Sequence, residues 1–128
     1  MLGLRILVVD DDRQTREVVD AKLRQAGHTV SCAADGVEAI DLVRGKLFDV
    51  VVTDILMPNK DGFEVIAELR RRHGGVRIVA MSGGGRRNQE QYLKTASSLG
   101  AHATLMKPFS FSDLTLVLRP STTGAPAQ

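Results

Sequence analysis

One cysteine, one tyrosine and no tryptophan stand in 128 residues, and each shortage closes a class of explanation. Cys32 alone can form no internal disulfide and no thiolate metal cluster, so it reads as a small buried apolar residue in a reducing compartment. Four phenylalanines and one tyrosine offer few rings on which nucleic acid bases could stack, and no zinc-finger spacing is present. No apolar run approaches the length of a membrane span, and Ile6 to Val9 is too short for the apolar stretch of a secretory signal. A net charge of +2, with basic clusters at Arg70-Arg71-Arg72 and Arg86-Arg87, reads as a solvated basic face rather than a nucleic acid reader. The expectation is a cytoplasmic protein with no nucleic acid and no membrane partner.

What is present is the composition of an ordinary globular domain, 43% hydrophobic and 25% charged, at a length that buries one core without staples. Arg5 to Asp10 is a short apolar run closed by Asp10-Asp11-Asp12; Val19, Leu23 and Ala26 then recur at helical spacing. Thr29 to Ala33 is a second, less apolar strand suited to an edge, and Val37, Ile40 and Val43 mark a second helix. Val50 to Thr53 is too apolar for a strand with one wet face and ends at Asp54. Pro58 and Gly62 interrupt regular structure before Val65, Ile66 and Leu69 resume the helical period, and Gly74-Gly75 ends that helix. Val76 to Met81 is a fourth strand closed by Ser82-Gly83-Gly84-Gly85. Tyr92, Leu93, Ala96 and Leu99 form the stripe of a fourth helix capped by Gly100. Ala103 to Met106, then Lys107-Pro108, then Phe111, Leu114 and Leu118 complete the pattern. The tail 120–128 is small and polar and reads as disordered, which leaves one domain over 1–119.

Five strands alternating with five helices predict an α/β three-layer sandwich around a parallel sheet, because parallel neighbours need a crossover connection. Sites in such folds form at the strand carboxyl ends. Those ends deliver Asp10-Asp11, Asp54, Ser82 and Lys107. Three convergent carboxylates repel, at roughly 4 kcal/mol for two charges about 4 Å apart in an effective dielectric of 20, so a cation must offset them. Oxygen ligands without cysteine or a well-placed histidine suit a hard ion, and a shallow, partly hydrated site suits Mg²⁺ better than Ca²⁺. An aspartate beside a metal, an ammonium and a hydroxyl is equipped to attack phosphorus. Each feature also has a plainer reading: Asp10 to Asp12 as a helix-start cluster, Asp54 as a turn residue, Ser82-Gly83-Gly84-Gly85 as a loop. Their shared placement favours the chemical reading.

Ile6-Leu7-Val8-Val9-Asp10-Asp11-Asp12, Asp54-Ile55-Leu56-Met57-Pro58 with Asp61-Gly62, Ser82 and Lys107-Pro108-Phe109 together resemble the receiver domain of two-component response regulators. The resemblance runs from residue 5 to about 118. It implies a flavodoxin-like sheet of order 2-1-3-4-5 and a signalling domain rather than an enzyme, one that assists its own phosphorylation and dephosphorylation. It makes Asp54 the phosphoacceptor and Asp10, Asp11, Asp54 and the Leu56 backbone carbonyl the surroundings of Mg²⁺. Lys107 would contact the phosphoryl group, Ser82 would be the switching hydroxyl, and Pro108 would follow a cis peptide bond. Leu56 and Gly84 fall at positions that influence how water reaches an acyl phosphate. The implied phosphodonor is a histidine kinase or a histidine phosphotransfer protein. The implied outcome is a stand-alone receiver, or a receiver taken from a longer protein, monomeric or weakly dimeric on phosphorylation, that signals through its helix 4, strand 5, helix 5 face or passes the phosphoryl group on. Thr104 stands where the family usually has a tyrosine or phenylalanine, so the usual aromatic switch is missing. The three glycines from Gly83 predict a mobile loop. His28, His73 and His102 have no spacing that would bring them to the acids. The alternative is an Asp-nucleophile phosphatase, which typically carries a second acid two residues after the nucleophile, where this chain has Leu56. A flavodoxin-like cofactor module would want a phosphate loop where Asp10-Asp11-Asp12 stand.

Overall fold

The computed structural model describes residues 3–57, 61–83 and 89–120. Pro58, the Gly84-Gly85 pair, Arg86-Arg87 and the tail from residue 121 lie outside them. Ten elements alternate: β1 (Arg5–Val9), α1 (Arg13–Gln25), β2 (Thr29–Ala33), α2 (Gly36–Gly45), β3 (Val50–Asp54), α3 (Gly62–Arg72), β4 (Arg77–Ser82), α4 (Gln89–Leu99), β5 (Ala103–Met106) and α5 (Phe111–Val117). The five strands form one sheet in the order β2-β1-β3-β4-β5, and every neighbouring pair is parallel. The modest β2 lies at the edge, where its less apolar sequence placed it.

Alternation along each strand divides the core in two. Leu7, Val9, Val51, Ile55, Ile78 and Ala80 face α2, α3 and α4 through Ala39, Ile40, Val43, Val65, Ile66, Leu69 and Ala96. Ile6, Val8, Val50, Val52, Val79, Met81 and Leu105 face α1 and α5 through Val19, Leu23, Leu114 and Leu118. Both faces are covered, which is why Val50, Val51 and Val52 can all be apolar. Leu23, Ile66, Leu69 and Leu114 are almost completely buried, each contributing roughly 1.5–3 kcal/mol of transfer free energy.

The helices start on side-chain caps. Asp12 accepts from the Thr15 amide and Asp35 from the Glu38 amide, while Asp61 with Glu64 and Ser110 with Asp113 form reciprocal capping boxes. Such caps satisfy amides that have no partner within the helix.

Three helix stripes differ in detail from expectation. Val37 is exposed because α2 presents Gly36, Ala39, Ile40 and Val43 to the sheet, which turns position 37 outward. Ala26 is the exposed C-cap of α1 rather than part of its buried face, and Leu99 is partly exposed at the last position of α4. α3 ends at Arg72 with His73 as its C-cap, before the Gly74-Gly75 pair. Gly27 and Gly100 adopt positive φ of 97° and 122°, so these helix-ending glycines meet a backbone requirement that other residues satisfy poorly. Cys32 is half-buried rather than buried, and burial raises its thiol pKa.

Candidate acidic phosphoacceptor site

The chain direction reverses its lateral progress at β1: β2 lies to one side and β3 to the other. The carboxyl ends of β1 and β3 therefore border the crevice that this topology opens, and Asp10-Asp11 and Asp54 sit there. Carboxylate oxygens of Asp10, Asp11 and Asp54 all lie within 4.8 Å of one another. Asp10 is 0% exposed and Asp54 6% exposed, whereas Asp11 faces solvent.

Lys107, from the end of β5, reaches across the edge. Its ammonium lies 2.6 Å from Asp10 Oδ2 and 3.7 Å from Asp54 Oδ2. The Lys107 amide donates to the Ser82 carbonyl at 2.8 Å, fixing the lysine backbone to the end of β4. Ser82 is 2% exposed there and pairs with Met106 across the β4–β5 ladder, two residues along from the Ala80–Thr104 pair. Thr104 is partly buried. The Lys107–Pro108 peptide bond is cis.

Among the described residues, one ammonium, that of Lys107, faces three acids. Burial, then the nearby Asp10 charge, raises the Asp54 pKa from 3.8 to about 6 against the opposing pull of Lys107. The donor set fits a hard divalent cation: among the described residues three carboxylates converge without sulfur or imidazole, in a pocket that drives protonation when their charge is not offset.

The backbone around the pocket is held by groups whose roles were not legible from spacing. Arg16 Nη1 donates to the Asp10 carbonyl at 2.8 Å, and the Asp12 amide donates to Asp10 Oδ1 at 2.9 Å. Asp12 thus caps α1, as the helix-start reading expects, while Asp10 and Asp11 of the same run turn toward Asp54. The Ile55 amide donates to Asp54 Oδ1 at 3.0 Å. The Gly62 amide donates to the Ile55 carbonyl at 2.7 Å, and a Cβ on Gly62 would overlap the Asp54 carbonyl oxygen and come within 2.6 Å of Ile55 Cα. Close backbone approach explains this glycine. Leu56 is partly buried just beyond, packed on the core.

The histidines lie elsewhere. His28 Nδ1 accepts from the Leu4 amide and His102 Nδ1 from the Ile78 amide, both at 2.9 Å, so each pins the start of a strand pair at the sheet edge opposite the acids. The available signal was positional: each histidine immediately precedes a strand and closely follows a helix-ending glycine. A cavity of about 690 Å³ adjoins the acid pocket between α1 and the Lys107-Pro108-Phe109 turn, with Thr15, Val18 and Val19 on its helical wall. Among the described residues, no helix is long and apolar enough to cross a membrane.

Comparison with known proteins agrees with this geometry. A family model described as the response regulator receiver domain matches residues 6–119. The response regulator MprA of Mycobacterium sp. (strain KMS) is 38% identical over 118 residues, covering 92% of this chain and 50% of that protein. The chain spans about half the length of the curated relatives it matches. Among solved structures, the chemotaxis response regulator CheY4 of Vibrio cholerae superposes with a TM-score of 0.79 at 28% identity, covering 91% of this chain and 99% of that one. Response regulator TrrA of Thermotoga maritima, solved in complex with Mg²⁺ and BeF, gives a TM-score of 0.78 at 31% identity, with 91% and 95% covered. The acidic crevice at the β1/β3 switch point, the lysine that reaches it from β5, and a family match over nearly the whole chain lead to one assignment: this protein belongs to the response regulator receiver domain family of two-component signalling.

Proposed function

We propose that Asp54 accepts a phosphoryl group from a histidine kinase or a histidine phosphotransfer protein. The observation that carries this reading is the convergence of Asp10, Asp11 and Asp54 within 4.8 Å beside the Lys107 ammonium. In the reaction an Asp54 carboxylate oxygen attacks phosphorus, the bond from phosphorus to the donor imidazole nitrogen breaks, and the imidazole keeps the electron pair. Asp10, Asp11, Asp54 and the Leu56 carbonyl would hold Mg²⁺, which supplies positive charge that offsets the carboxylates and the charge on the transferred group. Lys107 contributes a second positive charge on the same side, and the Ser82 hydroxyl donates to a phosphoryl oxygen. The Ile55 amide holds one Asp54 oxygen, which orients the other for attack.

The modified domain then signals to a separate target through the α4, β5 and α5 face, or passes the group on. Supporting a target-binding role, each of these elements exposes a large apolar residue: Leu99, Met106 and Leu116. Thr104 supplies no aromatic lever there, so the β4–β5 end carrying Ser82 and Lys107 transmits the change. A cytoplasmic location and a monomer that associates weakly on phosphorylation belong to the same proposal.

The test is incubation with acetyl phosphate, with and without Mg²⁺, for wild type and Asp54→Asn. Wild type should take up one hydroxylamine-sensitive phosphoryl group only with the metal, and Asp54→Asn none. Equal uptake by both proteins would reject the reading.

A further inference from the structure

We propose that the amino-end side of the sheet, opposite the acid pocket, is a second recognition surface, shaped for an acidic segment of a partner protein that carries a large apolar side chain. Glu68 on α3, with only 8% of its side chain exposed, gathers three guanidinium groups: Arg71 at 2.8 Å, Arg72 at 3.1 Å and Arg44 of α2 at 3.5 Å. One carboxylate against three cations leaves the cluster with two positive charges. The arginine side chains remain 57–63% exposed. Each guanidinium has five N–H donors in a rigid fork, and Glu68 uses only part of them. The remaining donors are already oriented at the surface, so less side-chain freedom is lost when a carboxylate binds.

Beside this cluster lies a concavity of about 330 Å³. Val43 and His73, which line it, are the chain neighbours of Arg44 and Arg72, so the cluster lies one residue along the chain from the cavity wall. Val43, Phe48 and Val76 form apolar wall, and Lys46 adds a cation beside the paired Arg5 and Asp49. Leu47, also in the lining, is 77% exposed and continues the apolar wall outward to the surface. His73 Nε2 is buried without a hydrogen-bond partner among the described residues. Asp49, the acid of this wall, is engaged by Arg5 through paired contacts of 2.9 and 3.1 Å.

Charge and shape together select the occupant. The arginine forks match carboxylates, and the apolar hollow with Leu47 at its mouth matches a leucine- or phenylalanine-sized side chain between them. A sugar-phosphate backbone would leave the hollow and Leu47 unused, and Phe48, at 8% exposed, presents no ring for base stacking. The surface shares no residue with the acid pocket, so it stands or falls separately from the phosphoacceptor reading.

The experiment uses the full chain and a fluorescein-labelled helical peptide of glutamate and leucine, read by fluorescence anisotropy. Comparison probes replace its glutamates by glutamine or its leucines by serine, and a labelled DNA duplex is the nucleic acid arm. Leu47→Glu alters an exposed residue and Arg71→Gln leaves Glu68 two partners, so both variants fold; phosphoryl uptake from acetyl phosphate should be unchanged in each. The expected result is binding of the glutamate-leucine peptide that weakens by about tenfold or more in either variant and with either altered peptide. The proposal is overturned if wild type does not bind the peptide, if the variants bind it equally well, or if the duplex binds more tightly with the same sensitivity to Arg71→Gln.

Discussion

Replacing Asp54 by asparagine should stabilise the protein when no divalent cation is present. The amide keeps the shape of the side chain and removes one of three negative charges that lie within 4.8 Å of one another. The size of the effect follows from the Asp54 pKa, which rises from 3.8 to about 6 through burial first and the Asp10 charge second. At about 1.36 kcal/mol per pH unit, that gap caps the cost of ionising Asp54 in the folded protein at about 3 kcal/mol. Solvent at the pocket mouth screens part of the repulsion, which brings the expected gain for Asp54→Asn to about 1–2 kcal/mol at pH 7.5. The sign in pH is fixed as well. Because the folded pKa lies above the unfolded one, the folded state binds more protons between the two values. Wild type therefore gains stability as pH falls through 6, and its deficit relative to Asp54→Asn should be mostly gone near pH 4. Urea denaturation of both proteins in EDTA at several pH values measures this directly, and Mg²⁺ should stabilise wild type more than the variant. An Asp54→Asn protein no more stable than wild type at pH 7.5 in EDTA would refute the electrostatic account of the pocket.

Lys107→Ala removes the ammonium 2.6 Å from the fully buried Asp10 and should destabilise the metal-free protein by roughly 3 kcal/mol; thermal melts should show Mg²⁺ recovering more stability in this variant than in wild type. Gly62→Ala places a methyl against the Asp54–Ile55 backbone and should cost about 1–3 kcal/mol in urea while slowing phosphoryl uptake. His28 and His102 both have pKa values lowered, by burial first and then by Arg119 for His28 and by Arg70 and Arg77 for His102. Their folded values lie below 6.5, so the unfolded chain binds protons first and stability is lost as pH falls below that point. This trend opposes the one from Asp54, so it is best measured in an Asp54→Asn background, where further changing both histidines to asparagine should flatten the pH profile.

The architecture was legible because its signals were redundant. Alternating strand and helix periods, glycines at helix ends and four strand ends bearing polar groups all pointed to one sheet, and the order β2-β1-β3-β4-β5 followed from the family resemblance. The convergence of Asp10, Asp11, Asp54 and Lys107 was legible for the same reason, since parallel topology alone brings strand carboxyl ends together. Periodicity was less able to phase individual helix faces. Val37 and Ala26 fit an apolar stripe, but the true burial of α2 starts from Gly36, and a glycine carries no hydropathy signal. Interactions between backbone and side chain were mostly invisible: nothing in the spacing showed that Arg16 holds the Asp10 carbonyl. The Glu68 cluster was equally hidden. The run Arg70-Arg71-Arg72 on its own has the character of a solvated face, and only folding brings Arg44 from another helix to the same carboxylate as Arg71 and Arg72.

If Asp54 accepts the phosphoryl group, chemical trapping of the acyl phosphate locates it there. After incubation with acetyl phosphate and Mg²⁺, borohydride reduction converts a phosphorylated aspartate to homoserine, which peptide mass spectrometry locates. Homoserine at position 54 and nowhere else is the predicted result; homoserine at Asp10 or Asp11, or at no position, would contradict it.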